Sequence, residues 1–220
     1  MLPAMLEEAR NNMIKQQLRT CNVLDESILQ LLSEVPREDF VPPHYRALAL
    51  SDTRIPLNHG ETMMTPLEEA AILQAMDIQK HHRILEIGTG SGYLTALLAK
   101  KAGQVISIEY YEDFTKAASH QLANHGIHNV TLITGDGIHG WLDLAPYDRI
   151  ILTGSISRLD KTFHPQLVEG GKCFAILGIA PVMEGCVLSL DEKDQWQSQM
   201  LFETNIKPLI NRFEKKAFNF

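Results

Sequence analysis

The sequence predicts an α/β fold, a doubly wound, mainly parallel sheet with an N-terminal helical extension and a C-terminal antiparallel hairpin. Three observations point there. From residue 82 onward, short apolar runs alternate with amphipathic stretches of helical length, the signature of strands joined by helices. The first run ends in a glycine-rich turn, and sheets of this kind open a ligand crevice at the carboxyl ends of their strands. The 220 residues, 45% hydrophobic and 21% charged, suffice for a buried core without disulfides or metals.

The elements follow in order. Residues 5–20 place Leu6, Ala9, Met13, Ile14 and Leu18 close to a helical stripe. A second helix fits 25–34, with Asp25 as N-cap and Leu24, Ile28, Leu31 and Leu32 at helical spacing. PREDFVPPHY breaks the pattern with prolines, 51–66 is a polar extended loop ending at Pro66, and a helix fits 67–77. Strands are predicted at 82–87, 104–109, 130–135, 147–154 and 171–178, with helices at 91–103 and 111–126 and a short one at 158–168. VMEGCVLSL and QWQSQMLFET, joined by DEKD, form the hairpin. The expected organisation is one domain over 1–220: an extension and loop (1–66), a βα core (67–180), and a hairpin and tail (181–220).

Composition excludes several classes. No run of 18 apolar residues spans a membrane, and the charged start MLPAMLEEAR is not a secretory signal. Cys21, Cys173 and Cys186 are far apart and form no CxxC, so they are expected to be reduced, buried thiols in a cytoplasmic protein. A net charge of −7 with no basic stripe argues against nucleic acid. The nine histidines show no ligand spacing, the His81-His82 pair is expected in solvent, and no metal site is predicted. Ser91 lies in GSG rather than GxSxG, so no hydrolase elbow is present.

The chemistry concentrates at three strand ends. Leu85-Glu86-Ile87-Gly88-Thr89-Gly90-Ser91-Gly92-Tyr93 joins the first core strand to its helix. Its third glycine comes one residue too early for a dinucleotide fingerprint, and the GK[ST] of a P-loop is absent. Glu109 ends the second strand, 21 residues after Gly88, where a carboxylate can accept from both hydroxyls of a ribose. Gly135-Asp136-Gly137 follows the third strand, where Asp136 can accept from an exocyclic amine. Together they describe a pocket for an adenosine with a non-phosphate tail. Its candidate contacts are Glu86, Gly88, Thr89, Gly90 and Gly92 in the turn, with Glu109, Asp136 and Gly137 beyond it.

EIGTGSGY with the later Glu109 and GDG resembles class I S-adenosylmethionine-dependent methyltransferases, and more closely the protein-L-isoaspartate O-methyltransferase family. The resemblance covers nearly the whole chain. Ala9-Arg10…Met13…Gln17-Leu18 resembles the family's opening helix. Val35 to Pro42 resembles its VPRExFVP segment, and Ile55-Pro56…Gly60-Glu61-Thr62…Pro66 its LPIGxGQTISQP loop. Pro146 to Ile151 and Gln166 to Gly171 resemble its PYDxI and QLxxGG segments. The resemblance implies a Rossmann-like methyltransferase sheet and S-adenosyl-L-methionine as cofactor, with S-adenosyl-L-homocysteine as product. It implies transfer to the carboxyl of L-isoaspartyl residues in damaged proteins, with His59, Gly60 and Thr62 in the substrate loop. The family's loop Ser, usually given the active-site role, is replaced by Met64, and Thr65 is the nearest hydroxyl. That substitution leaves open another acceptor on the same fold, or cofactor binding without turnover. Thr153-Gly154-Ser155, after the fourth strand, is expected to wall the acceptor side.

Overall fold

The structure is a computed structural model that describes residues 3–159 and 161–211. Seven strands form one sheet in the order β3-β2-β1-β4-β5-β6-β7. Strands β1 (Arg83–Ile87), β2 (Gln104–Glu109), β3 (Val130–Thr134), β4 (Tyr147–Ile156) and β5 (Leu167–Ile179) run parallel. Strands β6 (Val182–Leu190) and β7 (Trp196–Thr204) complete it as the antiparallel hairpin. The chain winds outward from β1 to β3, then returns to the other side of β1 as β4. This reversal opens the crevice between β1 and β4 at the carboxyl ends of the strands.

The central strands are nearly continuous apolar runs because both of their faces are covered. Successive residues point to opposite sides. Ile84, Val105 and Ile151 enter one core, and Leu85, Ile106 and Ile150 enter another. The first core takes in side chains of α1 (Pro3–Asn12), α2 (Glu26–Glu34), α3 (Pro66–Met76), α4 (Tyr93–Lys101) and α5 (Glu112–Asn124). The second is roofed by short 3-10 turns, Leu142–Leu144 and Lys161–Gln166, through Leu144 and Phe163. Helix α5 shows its stripe at Phe114, Ala118 and Leu122. Helix α4 is buried at every position from Tyr93 to Ala99 and so has no polar stripe to read. Asp25 caps α2 by accepting from the Ser27 N–H at 2.8 Å. No helix among the described residues is long and apolar enough to cross a membrane.

Several expectations are corrected. The helix predicted over 5–20 is α-helical only to Asn12; wider π turns carry Met13–Leu18 and a 3-10 turn Arg19–Cys21. The wider turns bring Met13 and Leu18, five residues apart, into the same core. The helix predicted at 158–168 is the 3-10 turn alone, and β5 begins at Leu167. Thr153-Gly154-Ser155 lies within β4, not after it. All three cysteines are free, but only Cys173 and Cys186 are buried, while Cys21 is exposed at the end of the N-terminal helical run. His82 is buried rather than solvated, because its Nδ1 accepts the Gln79 N–H (3.1 Å) in the turn that enters β1.

Candidate active site

Loops after β1, β2, β3 and β4 converge with the 55–64 segment and the chain after β7 on one cleft, which holds about 940 Å³ of empty space including its mouth. The turn after β1 sets its floor. Gly88 has φ +96°, which side chains disfavour, and a Cβ there would lie 2.2 Å from Thr153 Oγ1. That hydroxyl donates to the carbonyls of Ile87 and Gly88 at 2.9 and 2.8 Å, and the Gly88 N–H donates to Ile108 O at 2.8 Å. The turn is thereby stitched to both neighbouring strands.

Glu109 stands at the end of β2, only 5% exposed. Its Oε2 accepts the Gly90 N–H at 2.8 Å and its Oε1 the Tyr111 N–H at 3.0 Å. Burial holds its pKa above the usual carboxylate value, although these backbone donors oppose the rise. Each oxygen retains a further lone pair for a ligand hydroxyl. Asp136 is exposed after β3; its Oδ1 accepts the Ile138 N–H at 3.0 Å and its Oδ2 the Asn211 amide at 2.8 Å.

On the opposite side, Ile55 to Met63 doubles back on itself: Met63 N–H donates to Ile55 O and Leu57 N–H to Glu61 O, both at 2.8 Å. Met64 follows, 5% exposed, with its carbonyl accepting from Arg37 Nη2 at 2.6 Å. Among the sequence-derived candidates, Gly88, Thr89, Gly90 and Glu109 line the cleft on the β1–β2 side. Asp136, Gly137, Thr62 and Met64 line it elsewhere, together with Thr153 and Gly154.

The other candidates do not line it. Glu86 is fully buried beneath the glycine turn, where its Oε2 accepts from the hydroxyls of Thr95 and Ser107. Ser107 Oγ lies 2.6 Å from Thr89 Oγ1, so Glu86 braces the turn from behind. Burial pushes its carboxyl up to about 7 against those two hydrogen bonds. Gly92 faces α5 instead of a ligand: a Cβ there would sit 3.0 Å from that of Ala118. His59 stacks on Tyr111, centroids 3.9 Å apart and 5° from parallel, and its Nε2 lies 3.0 and 3.1 Å from the Asp113 carboxylate oxygens. Gly60 shares that turn, and His59 pins the loop onto the start of α5. Thr65 is the N-cap of α3; its Oγ1 accepts the Glu68 N–H at 3.3 Å while Glu68 Oε2 accepts the Thr65 N–H at 2.9 Å. Ser155 is fully buried and donates to Ile206 O at 3.1 Å.

Two parts of the cleft carry no local sequence signal. Glu69, on α3, lines it beside Met63 and Met64 and pairs with Arg37 Nε at 3.1 Å. Residues 206–211 cross the strand ends: Ser155 N–H donates to Lys207 O and Leu209 N–H to Ser155 O. Lys207 Nζ donates to His59 O and Glu61 Oε1 at 2.8 and 2.6 Å, fastening this strap to the loop. No group of three His, Cys, Asp or Glu among the described residues is placed to hold a metal.

The family model for protein-L-isoaspartate(D-aspartate) O-methyltransferase matches residues 8–206. A protein-L-isoaspartate O-methyltransferase 2 of Pelobacter propionicus is 33% identical over 205 residues, covering 93% of this chain and 91% of that protein. One of Opitutus terrae is 38% identical over 80% of this chain and 78% of its own length. Among solved structures, a protein-L-isoaspartate O-methyltransferase superposes with TM-score 0.76 at 25% identity, over 90% of this chain and 65% of that one. A Plasmodium falciparum chain described as such an enzyme, in complex with S-adenosyl-L-homocysteine, gives TM-score 0.75 at 20% identity over 92% and 97%, a likeness of fold. With most of its length matched by the family model and by relatives above 30% identity, the chain belongs to the protein-L-isoaspartate(D-aspartate) O-methyltransferase family.

Proposed function

We propose that this chain is an S-adenosylmethionine-dependent carboxyl O-methyltransferase acting on L-isoaspartyl residues of proteins and peptides. The observation that carries the reading is the single cleft in which the Gly88–Gly90 turn, the fixed carboxylate of Glu109 and the Thr62–Met64 segment meet. The residues suit the cofactor. The turn keeps a Cβ-free floor at Gly88, and Glu109 presents a nearly buried carboxylate oriented by two backbone donors. Glu109 would hold ribose hydroxyls and Asp136 an adenine amine. When bound, S-adenosylmethionine supplies a methyl group on a cationic sulfur, open to direct displacement by an oxygen nucleophile.

The chain's own task is then narrow. A side-chain carboxyl titrates near pH 4, so the acceptor is ionised at pH 7 and needs no base. What the residues must do is hold one acceptor oxygen in line and keep water away. Leu57, Met63, Met64 and Ile206 make the cleft's acceptor side apolar. Arg37 locks the Met64 main chain through its carbonyl, which fixes that wall.

The test is transfer of label from methyl-labelled S-adenosylmethionine to a matched pair of peptides, one isoaspartyl and one aspartyl, with cofactor binding measured on the same preparation. The expected result is methylation of the isoaspartyl peptide alone. Cofactor binding with transfer to neither peptide would favour a second reading, a different acceptor. Its motivating observation is Met64, an apolar side chain on the cleft wall where the family loop carries a hydroxyl.

A further inference from the structure

The acceptor end of the cleft contains an ionisable group that the reaction as described leaves unused. Glu69 is 2% exposed, yet it lines the cleft beside Met63 and Met64. Its Oε2 accepts from Arg37 Nε at 3.1 Å, and among the described residues no hydrogen bond reaches Oε1, so that oxygen is available to a group entering the cleft Glu69 lines. Arg37 has three of its five N–H groups engaged, the Nε bond to Glu69 among them. Its Nη1 is committed to Ala49 O at 2.7 Å and its Nη2 to Met64 O at 2.6 Å. One guanidinium thus fixes a side-chain carboxyl and the Met64 main chain relative to each other. The Met64 side chain has no hydrogen to donate.

We propose that Glu69 acts as the hydrogen-bond donor at the acceptor end, its neutral carboxylic acid holding one oxygen of the substrate carboxylate while the other oxygen takes the methyl. The proton stays on Glu69 throughout. This rests on the isoaspartyl reading above, because only a carboxylate acceptor needs such a partner. A carboxylic acid facing a carboxylate makes a short, charge-assisted bond, whereas two carboxylates would repel. The surroundings decide which form is present. Burial pushes Glu69 up to about 7, against the attraction of Arg37, and the neighbouring Glu68 and Asp52 add to the rise. Tyr93, on α4, also faces this pair, its ring 5.5 Å from the Arg37 guanidinium, and its hydroxyl is held neutral by burial. An arriving substrate carboxylate is one more like charge and favours the neutral acid further.

The experiment is the pH profile of kcat/KM for the isoaspartyl peptide between pH 5.5 and 9, for the native chain and Glu69→Gln. Peptide affinity is measured in parallel on protein saturated with S-adenosyl-L-homocysteine. The native profile should fall about tenfold per pH unit once Glu69 ionises, the slope of a single proton. In Glu69→Gln the amide oxygen can still accept from Arg37 and the amide nitrogen can donate, though more weakly. It should be about 5- to 30-fold slower at pH 6, as for one weakened charged hydrogen bond, and should show no alkaline fall, in rate or in affinity. Parallel profiles for the two proteins would overturn the proposal while leaving isoaspartyl methylation standing. Absence of transfer by the native chain would overturn both. Should Glu69→Gln fail to fold, Met64→Ser in the native background decides the matter. An added hydroxyl should flatten the alkaline fall, and an unchanged fall would count against Glu69.

Discussion

Glu109 is held by two backbone N–H groups from two different turns, so its carboxylate is oriented before any ligand arrives. Glu109→Ala removes a charged acceptor worth about 1.5–3 kcal/mol. S-adenosylmethionine affinity, followed by calorimetric titration, should weaken about 10- to 150-fold by that estimate. Unchanged affinity would remove Glu109 from the cofactor's contacts; Met64→Ser, across the cleft, is the control that should bind normally. At this scale the sequence was informative wherever chemistry is local. Gly88, Glu109 and Asp136 stand at or just past the ends of successive strands, and parallel register alone brings strand ends together. Glu69 was illegible for the opposite reason. It pairs with Arg37, 32 residues away, and on sequence alone it reads as a helix-surface acid.

Helix α3 connects the 55–64 segment to the core, and its start is built on Thr65. The threonine nearest the family's serine position is committed to a reciprocal cap with Glu68, and Glu68 Oε1 in turn takes hydrogen bonds from Arg54 and Thr204 of β7. Thr65→Ala should cost about 1 kcal/mol, the usual value of such a cap, and lower Tm by about 2–4 °C for a chain of this size. Thermal melts by circular dichroism would show it, with cofactor affinity unchanged. Loss of methyl transfer at full stability would instead mean that Thr65 meets the acceptor. The capping box reads directly from Thr65-Pro66-Leu67-Glu68, and it occupies the hydroxyl that lies nearest the family's serine position. Element boundaries were legible where patterns are local, as in β2 over Gln104–Glu109. They were not where tertiary burial overrides the pattern. The π turns at Met13–Leu18 exist because both residues must reach one core, and β5 starts four residues before the predicted 171 because Leu167 pairs with Tyr147.

Across the whole molecule, two of the buried carboxyls share one property, one of them in the sheet and the other on its flanking helix α3. Glu86 and Glu69 are each pushed up to about 7, chiefly by burial. An unfolded glutamate titrates near 4.3. Between those values the folded chain binds more protons than the unfolded one, so unfolding free energy declines as pH rises through that window and levels off above it. Stability should therefore be greater at pH 5 than at pH 8, by up to about 3 kcal/mol per group if the whole difference is expressed. Glu86 gives the cleaner test, having no cationic partner among the described residues and one oxygen, Oε1, without a hydrogen bond. Glu86→Gln keeps an acceptor for Thr95 and Ser107 and removes the ionisation. Chemical denaturation should show little change at pH 5 and a gain of about 1–2 kcal/mol at pH 8, less than the full linkage value because the new amide must also be satisfied. Equal effects at the two pH values would mean that Glu86 keeps an ordinary titration in the fold. A gain confined to high pH would show that the brace under the glycine turn works as a neutral acid, its strength set by the depth at which the sheet buries it.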